Sequence, residues 1–182
     1  MSRKKPDKII EPDDRLKREI YKLYQAIFYS ELYDKKKKLM TYIFAWYPWS
    51  WRVVGISKGA YTEIRSAGFN SCPKSIVRDH FFQDRNDTYQ LMLDRSDPLD
   101  FQEWWHLFWR NDQTILMTKN EHNQGRGSVE CARINWEDGY FACKSLVGFK
   151  YRKKIEGEYL KTLKDINWEP IENIISDLLE MR

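Results

Sequence analysis

The chain has 182 residues, and its 31 Lys and Arg exceed its 27 Asp and Glu to give a formal charge of +4. That length suits one domain, or a core with a small appendage. Hydrophobic residues make up 42%, which excludes general disorder because enough apolar surface can be buried to offset the entropy of ordering. No stretch approaches the roughly 18 consecutive apolar residues of a membrane span, and the basic start, Met1 to Lys5, lacks the apolar run of a signal peptide. These features lead us to expect a soluble, cytoplasmic protein with no membrane partner. Cys72, Cys131 and Cys143 are too widely spaced for a disulfide framework or a four-cysteine zinc site, so reduced and mostly buried thiols are expected, with no structural zinc.

The charge is unevenly spread. Residues 1–38 hold 12 basic and 7 acidic side chains, whereas residues 69–128 hold 7 basic and 9 acidic. A basic arm with a mildly acidic middle suits a protein that grips phosphates at its edges and gathers carboxylates near a cation. A solvated helix face is the alternative source of the basic excess.

Residues 1–70 read as a helical, basic region. Leu16, Ile20, Leu23, Tyr24, Ile27 and Phe28 recur at three- and four-residue spacing, predicting an amphipathic helix over Asp13 to Tyr33. After the run Lys35 to Lys38 comes a dense aromatic stretch, Leu39 to Trp51, with Trp46, Trp49 and Trp51 around a break at Pro48. From Val53 to Arg65, Gly55 can make a tight turn and Ser57 can cap a helix ending near Gly68. The pattern is similar to the turn and second helix of a helix-turn-helix, which would expose Lys58, Tyr61 and Arg65 to DNA; an ordinary pair of packed helices is the alternative.

Residues 71–128 hold the informative polar groups. Ser75 to Phe82 reads as a strand bearing adjacent Asp79 and His80, although Pro73 also permits a helix there. An insertion at about 84–110 contains a helix over Phe101 to Trp109. Thr114 to Met117 is a second strand, and Thr118 with Glu121 forms an S/T-x-x-E capping box that starts a helix carrying His122 and Asn123. Carboxylate, amide and imidazole groups in this order suit phosphodiester hydrolysis, which needs a hard cation and a base to deprotonate water. In residues 129–182 we expect a hairpin over Arg133 to Lys144 turning at Glu137-Asp138-Gly139, a helix over Lys153 to Lys164, and an amphipathic helix from Pro170 to Met181. Lys144, Lys150, Arg152, Lys153 and Lys154, interleaved with Phe149 and Tyr151, have a nucleic-acid flavour.

Arg78-Asp79-His80, together with the run Asn111-Asp112-Gln113-Thr114-Ile115-Leu116-Met117-Thr118-Lys119-Asn120-Glu121-His122-Asn123, resembles the HNH, or ββα-metal, nuclease family. The likeness covers about 50 of the 182 residues and lies with the free-standing, homing-type members found in phages, which act in the infected host cell. It implies an α+β fold with a ββα motif embedded among helices. It also implies His80 as general base, Asp79 as one ligand of Mg²⁺ or another divalent ion such as Mn²⁺, and Asn123 or His122 as the second. The middle motif residue, which braces the loop, would be Asn111 or Gln113, with Asn111 favoured. The implied activity is metal-dependent DNA cleavage. The alternatives are a non-catalytic helix-turn-helix-like DNA-binding protein and, given eight tryptophans, a partner-binding protein.

Overall fold

Helix α1 (Asp14–Tyr29) begins where the Asp13 carboxylate accepts from the Leu16 amide at 2.8 Å, supplying the side-chain acceptor that the first turn lacks. It buries Ile20, Tyr24, Ile27 and Phe28, the stripe that the periodicity picks out. A short 3-10 turn, Tyr33–Lys35, leads into α2 (Lys36–Phe44), and the chain then turns through 47–50 around Pro48. The structure, a computed structural model, describes residues 5–45, 47–80, 82, 85–124, 129–144, 148–163 and 167–180, without the side chains of 177–180. Trp46, Gly125 and Gly127 lie outside them.

Strand β1 (Arg52–Ser57) is buried along its whole length, and α3 (Lys58–Ser66) follows it directly. Strand β2 (Ile76–His80) comes next, then α4 (Arg85–Leu93) and α5 (Phe101–Asn111), so the insertion is a helical pair. Asp100 caps α5 by accepting from Gln102 N at 2.8 Å and Glu103 N at 2.9 Å. Strand β3 (Gln113–Thr118) leads into α6 (Lys119–Gln124), followed by β4 (Glu130–Arg133), α7 (Glu158–Thr162), β5 (Glu169–Pro170) and α8 (Ile171–Glu180).

The fold is α+β. Its sheet runs β2-β3-β1-β4-β5, with β1 parallel to β3 and the other neighbours antiparallel. Strand alternation divides the core. Val53, Ile56, Leu116 and Ala132 pack against Ala60, Tyr61 and Ile64 of α3 and Leu160 of α7, whereas Val54, Ile115, Met117 and Cys131 pack against Ile171 and Ile174 of α8. Helices α1, α2, α4 and α5 form a separate aromatic core around Tyr24, Phe44, Trp104 and Phe108. Tyr24 stitches it by donating its hydroxyl to Met92 O at 2.9 Å and accepting from Leu99 N at 3.0 Å. No described helix is long and apolar enough to cross a membrane.

All three stretches of sequence contribute to the sheet, with β1 from the first lying between β3 from the second and β4 from the third. Three expectations are corrected. The proposed helix-turn-helix is a strand followed by a helix: Gly55 sits in β1, where an added Cβ would stand 3.2 Å from Ala132 O, so it serves close strand approach and not a turn. Glu137-Asp138-Gly139 closes no hairpin. Trp136–Asp138 is a 3-10 turn ended by Gly139 at φ +73°, and β4 pairs with β1 and β5 instead. The helix expected over Lys153 to Lys164 is a wide π turn, Lys153–Gly157, running into the short α7.

Candidate active site

Parallel strands β1 and β3 end side by side, and their helices leave to opposite faces: α3 covers the Ile56 and Leu116 face, while α6 turns toward the face of Val77 and Ile115. A crevice forms at such a divergence. The capping box of α6 closes as its spacing demands, with Thr118 N donating to Glu121 Oε2 at 2.8 Å and Glu121 N donating to Thr118 Oγ1 at 3.1 Å. The same carboxylate accepts from Ser57 Oγ at 2.7 Å and from Gly59 N at 3.2 Å. One side chain therefore serves the first turns of both helices. Gly59 makes this approach feasible, since a Cβ there would come within 2.5 Å of Glu121 Oε1.

With α6 anchored by Glu121, the next residue reaches β2. His122 Nδ1 lies 3.3 Å from Asp79 Oδ1, the imidazole half exposed and the carboxylate 11% exposed. Nδ1 faces Asp79, so Nε2 is the ring atom turned away from it. A carboxylate against one imidazole nitrogen orients the ring. Of the two neighbours proposed as second ligand, His122 meets Asp79, and Asn123 is exposed at the end of a six-residue helix.

Asp79 pairs with Ile115 across the β2–β3 ladder, and His80 with Thr114, so adjacent residues present opposite faces. His80 lines a small cavity of about 10 Å³ with Arg85, Thr88, Asn111 and Asp112 and the rings of Tyr89 and Phe108. The structure thus brings His80 and Asn111 together on one side of β2, and Asp79 and His122 on the other. Asn111 is buried at the end of α5, donating Nδ2 to Thr88 Oγ1 at 3.1 Å and accepting from Arg110 Nε at 3.2 Å. Gln113 opens β3.

A buried charge cluster adjoins this cavity. The Asp112 carboxylate accepts from Trp51 N at 2.8 Å and lies 3.8 Å from Arg52 Nη1. Burial pushes the Asp112 carboxyl up to about 7 although Arg52 opposes the shift, and burial lowers Arg52 to about 10. Arg78 and Arg85 lie 4.9 Å and 5.1 Å from the Trp51 ring centre. Arg78 also donates to Gly148 O at 2.9 Å. Sequence reasoning did not find this cluster, since its members are scattered over 51–112. It also missed the Glu121 clamp. Ser57 and Thr118 were each legible as helix caps, but nothing in the sequence showed that one carboxylate serves both.

Tested against a divalent cation, Asp79 and His122 fit as a partial donor set, one hard oxygen and one imidazole nitrogen, with remaining positions left for water and phosphate oxygens as Mg²⁺ prefers. Among the described residues, no group of three or more His, Cys, Asp and Glu side chains is placed to hold a metal.

The expected DNA-binding residues divide. Tyr61 is buried in the core under α3, and Lys58 pairs with Glu130 at 2.5 Å, leaving Arg65 exposed. Lys150, Lys153 and Lys154 are exposed, whereas Arg152 is tied to the fully buried Glu156, whose Oε2 also accepts from Arg152 N at 2.6 Å. Phe149 and Tyr151 pack on the core, with Tyr151 donating to Phe69 O at 3.1 Å. Comparison of the chain with family models, curated proteins and solved structures finds no match.

Proposed function

We propose that the chain is a divalent-metal-dependent DNA endonuclease of the HNH, ββα-metal kind. The observation that carries this reading is the 3.3 Å contact between Asp79 and His122, made across two antiparallel strands and the helix that follows them. Mg²⁺ or Mn²⁺ bound there would supply Lewis-acid stabilisation of charge on the phosphate. Asp79 and His122 would hold it between Oδ1 and Nδ1, whose 3.3 Å separation suits two neighbouring ligands of one ion. His80 is the base that accepts a proton from water. Consecutive Cα atoms are about 3.8 Å apart, and β2 is an edge strand, so a phosphate approaching that edge can meet groups from both its faces. Asn111 braces the His80 side through Thr88. One such site cuts one strand. Cytoplasmic action on DNA follows from this reading.

The alternative, a non-catalytic helix-turn-helix-like DNA-binding protein, loses support because a strand occupies the place of its turn and Tyr61 is buried. Incubation of supercoiled plasmid with Mg²⁺ and with EDTA tests the proposal. Nicked product is expected only with Mg²⁺ and is absent for Asp79→Asn; no cleavage by the intact chain would overturn the reading.

A further inference from the structure

Two basic stretches that are far apart in the sequence meet at one cavity. The segment before α1 is held against the Trp136–Asp138 turn, with Ile9 N donating to Glu137 O at 2.9 Å and the Ile9 side chain buried. Gly139 admits this strap: a Cβ there would fall 2.0 Å from Asp7 O. The strap brings Lys5 to the same cavity as Lys154, a space of about 200 Å³. Its aromatic wall is Tyr140 and Tyr159, stacked with ring centres 3.9 Å apart and planes 14° from parallel. Glu158 and Thr162 add polar groups. Exposed Lys150 and Lys153 extend the basic surface along the chain beside it.

We propose that this cavity receives one unstacked base of a single-stranded nucleic acid, with Lys5 and Lys154 on the neighbouring phosphates. An aromatic wall suits any base, because every base has a π face, and ammonium groups at the rim suit the backbone that carries it. A space of this size takes one base and not a pair. The Thr162 hydroxyl, which donates to Tyr159 O at 2.6 Å, keeps its lone pairs to accept from an exocyclic amino group. The inference rests on the nucleic-acid reading above and adds to it a strand-holding site built from neither Asp79 nor His122.

The test is the affinity of the full chain for a fluorescent single strand of about a dozen nucleotides, a length within the range that strand-binding grooves cover. It is measured in EDTA, alongside a strand of equal length with abasic positions. Lys154→Glu and Thr162→Trp both alter exposed side chains; the first removes a phosphate contact and the second fills the cavity. Each should weaken binding of the base-bearing strand about tenfold, a loss comparable to that of one stacked base, with an unchanged melting temperature. Thr162→Trp should leave the abasic strand unaffected. Equal binding of abasic and base-bearing strands by the wild type, or wild-type affinity of Thr162→Trp for the base-bearing strand, would overturn the proposal. Because EDTA removes metal from the measurement, the two readings fail separately. Strand binding that requires the cavity without any Mg²⁺-dependent cleavage removes the nuclease alone, and cleavage with an indifferent cavity removes the pocket alone.

Discussion

Ser57 and Glu121, 64 positions apart, meet through a hydrogen bond of 2.7 Å from the serine hydroxyl to the carboxylate. This bond joins the start of α3 to the start of α6 and sets the height at which His122, the next residue, faces Asp79. The tolerance is narrow because Gly59 stands against the same carboxylate. Gly59→Ala should therefore destabilise the protein by about 1–3 kcal/mol, the range for forcing an extra carbon into a packed position, read as a lower urea midpoint at unchanged slope. An unaltered midpoint would mean that Glu121 has another place to go.

Asp79→Asn and His122→Ala should each abolish most Mg²⁺-dependent nicking while DNA affinity in EDTA stays at the wild-type level. Asn123→Ala should cut normally, since its side chain is exposed and His122 is the one facing Asp79. The reverse pattern, with Asn123 essential and His122 dispensable, would show that α6 presents a different side to the metal.

For His80 the expected loss is about a hundredfold in single-turnover cleavage, the usual contribution of a positioned base, with metal and DNA binding retained. Thermal melting on the same His80→Ala preparation separates chemistry from packing. If melting, binding and cleavage fall together, His80 is a structural member of the Asn111 and Asp112 cavity.

The buried Asp112 should make stability depend on pH with an unusual sign. Its folded-state value of about 7 stands above the ordinary 3.8, so between those limits the native state holds a proton that the unfolded chain has released. That contribution is fully present below about 3.8 and is lost as pH rises through about 7, which makes stability fall with rising pH over the window. Asp112→Asn removes the titration, so its unfolding free energy should decline less from pH 4.5 to 7 than that of the wild type. Parallel curves would place Asp112 as an ionised partner of Arg52 throughout.

DNA binding should weaken steeply with salt, since lysines on phosphates release counterions. Lys153→Ala with Lys154→Ala should lower affinity for unrelated sequences to the same extent and flatten the salt slope by about two. Loss confined to one sequence would make these lysines base readers.

Helix α1 and the capping box that starts α6 were legible in the sequence because both are local: a 3.6-residue apolar stripe and an S/T-x-x-E spacing are satisfied within a few turns of one segment. Helix α5 and strands β2 and β3 were legible for the same reason, as was the order that places Asp79 before the helix carrying His122. Strand β1 was not. It is buried on both faces, so its apolar run lacks the alternation that would separate it from a helix, and its pairing with β3 joins residues about 60 positions apart. The Trp136–Asp138 turn carried the residues of a hairpin, but the returning arm found no partner in β4, whose two edges were taken by β1 and β5. Which of His122 and Asn123 faces Asp79 depended on the rotation of α6 about its axis. Each helical residue turns the side chain by about 100°, and that phase was set by Glu121 anchoring on Ser57 and Gly59, contacts between distant segments that exist only once β1 and β3 lie side by side.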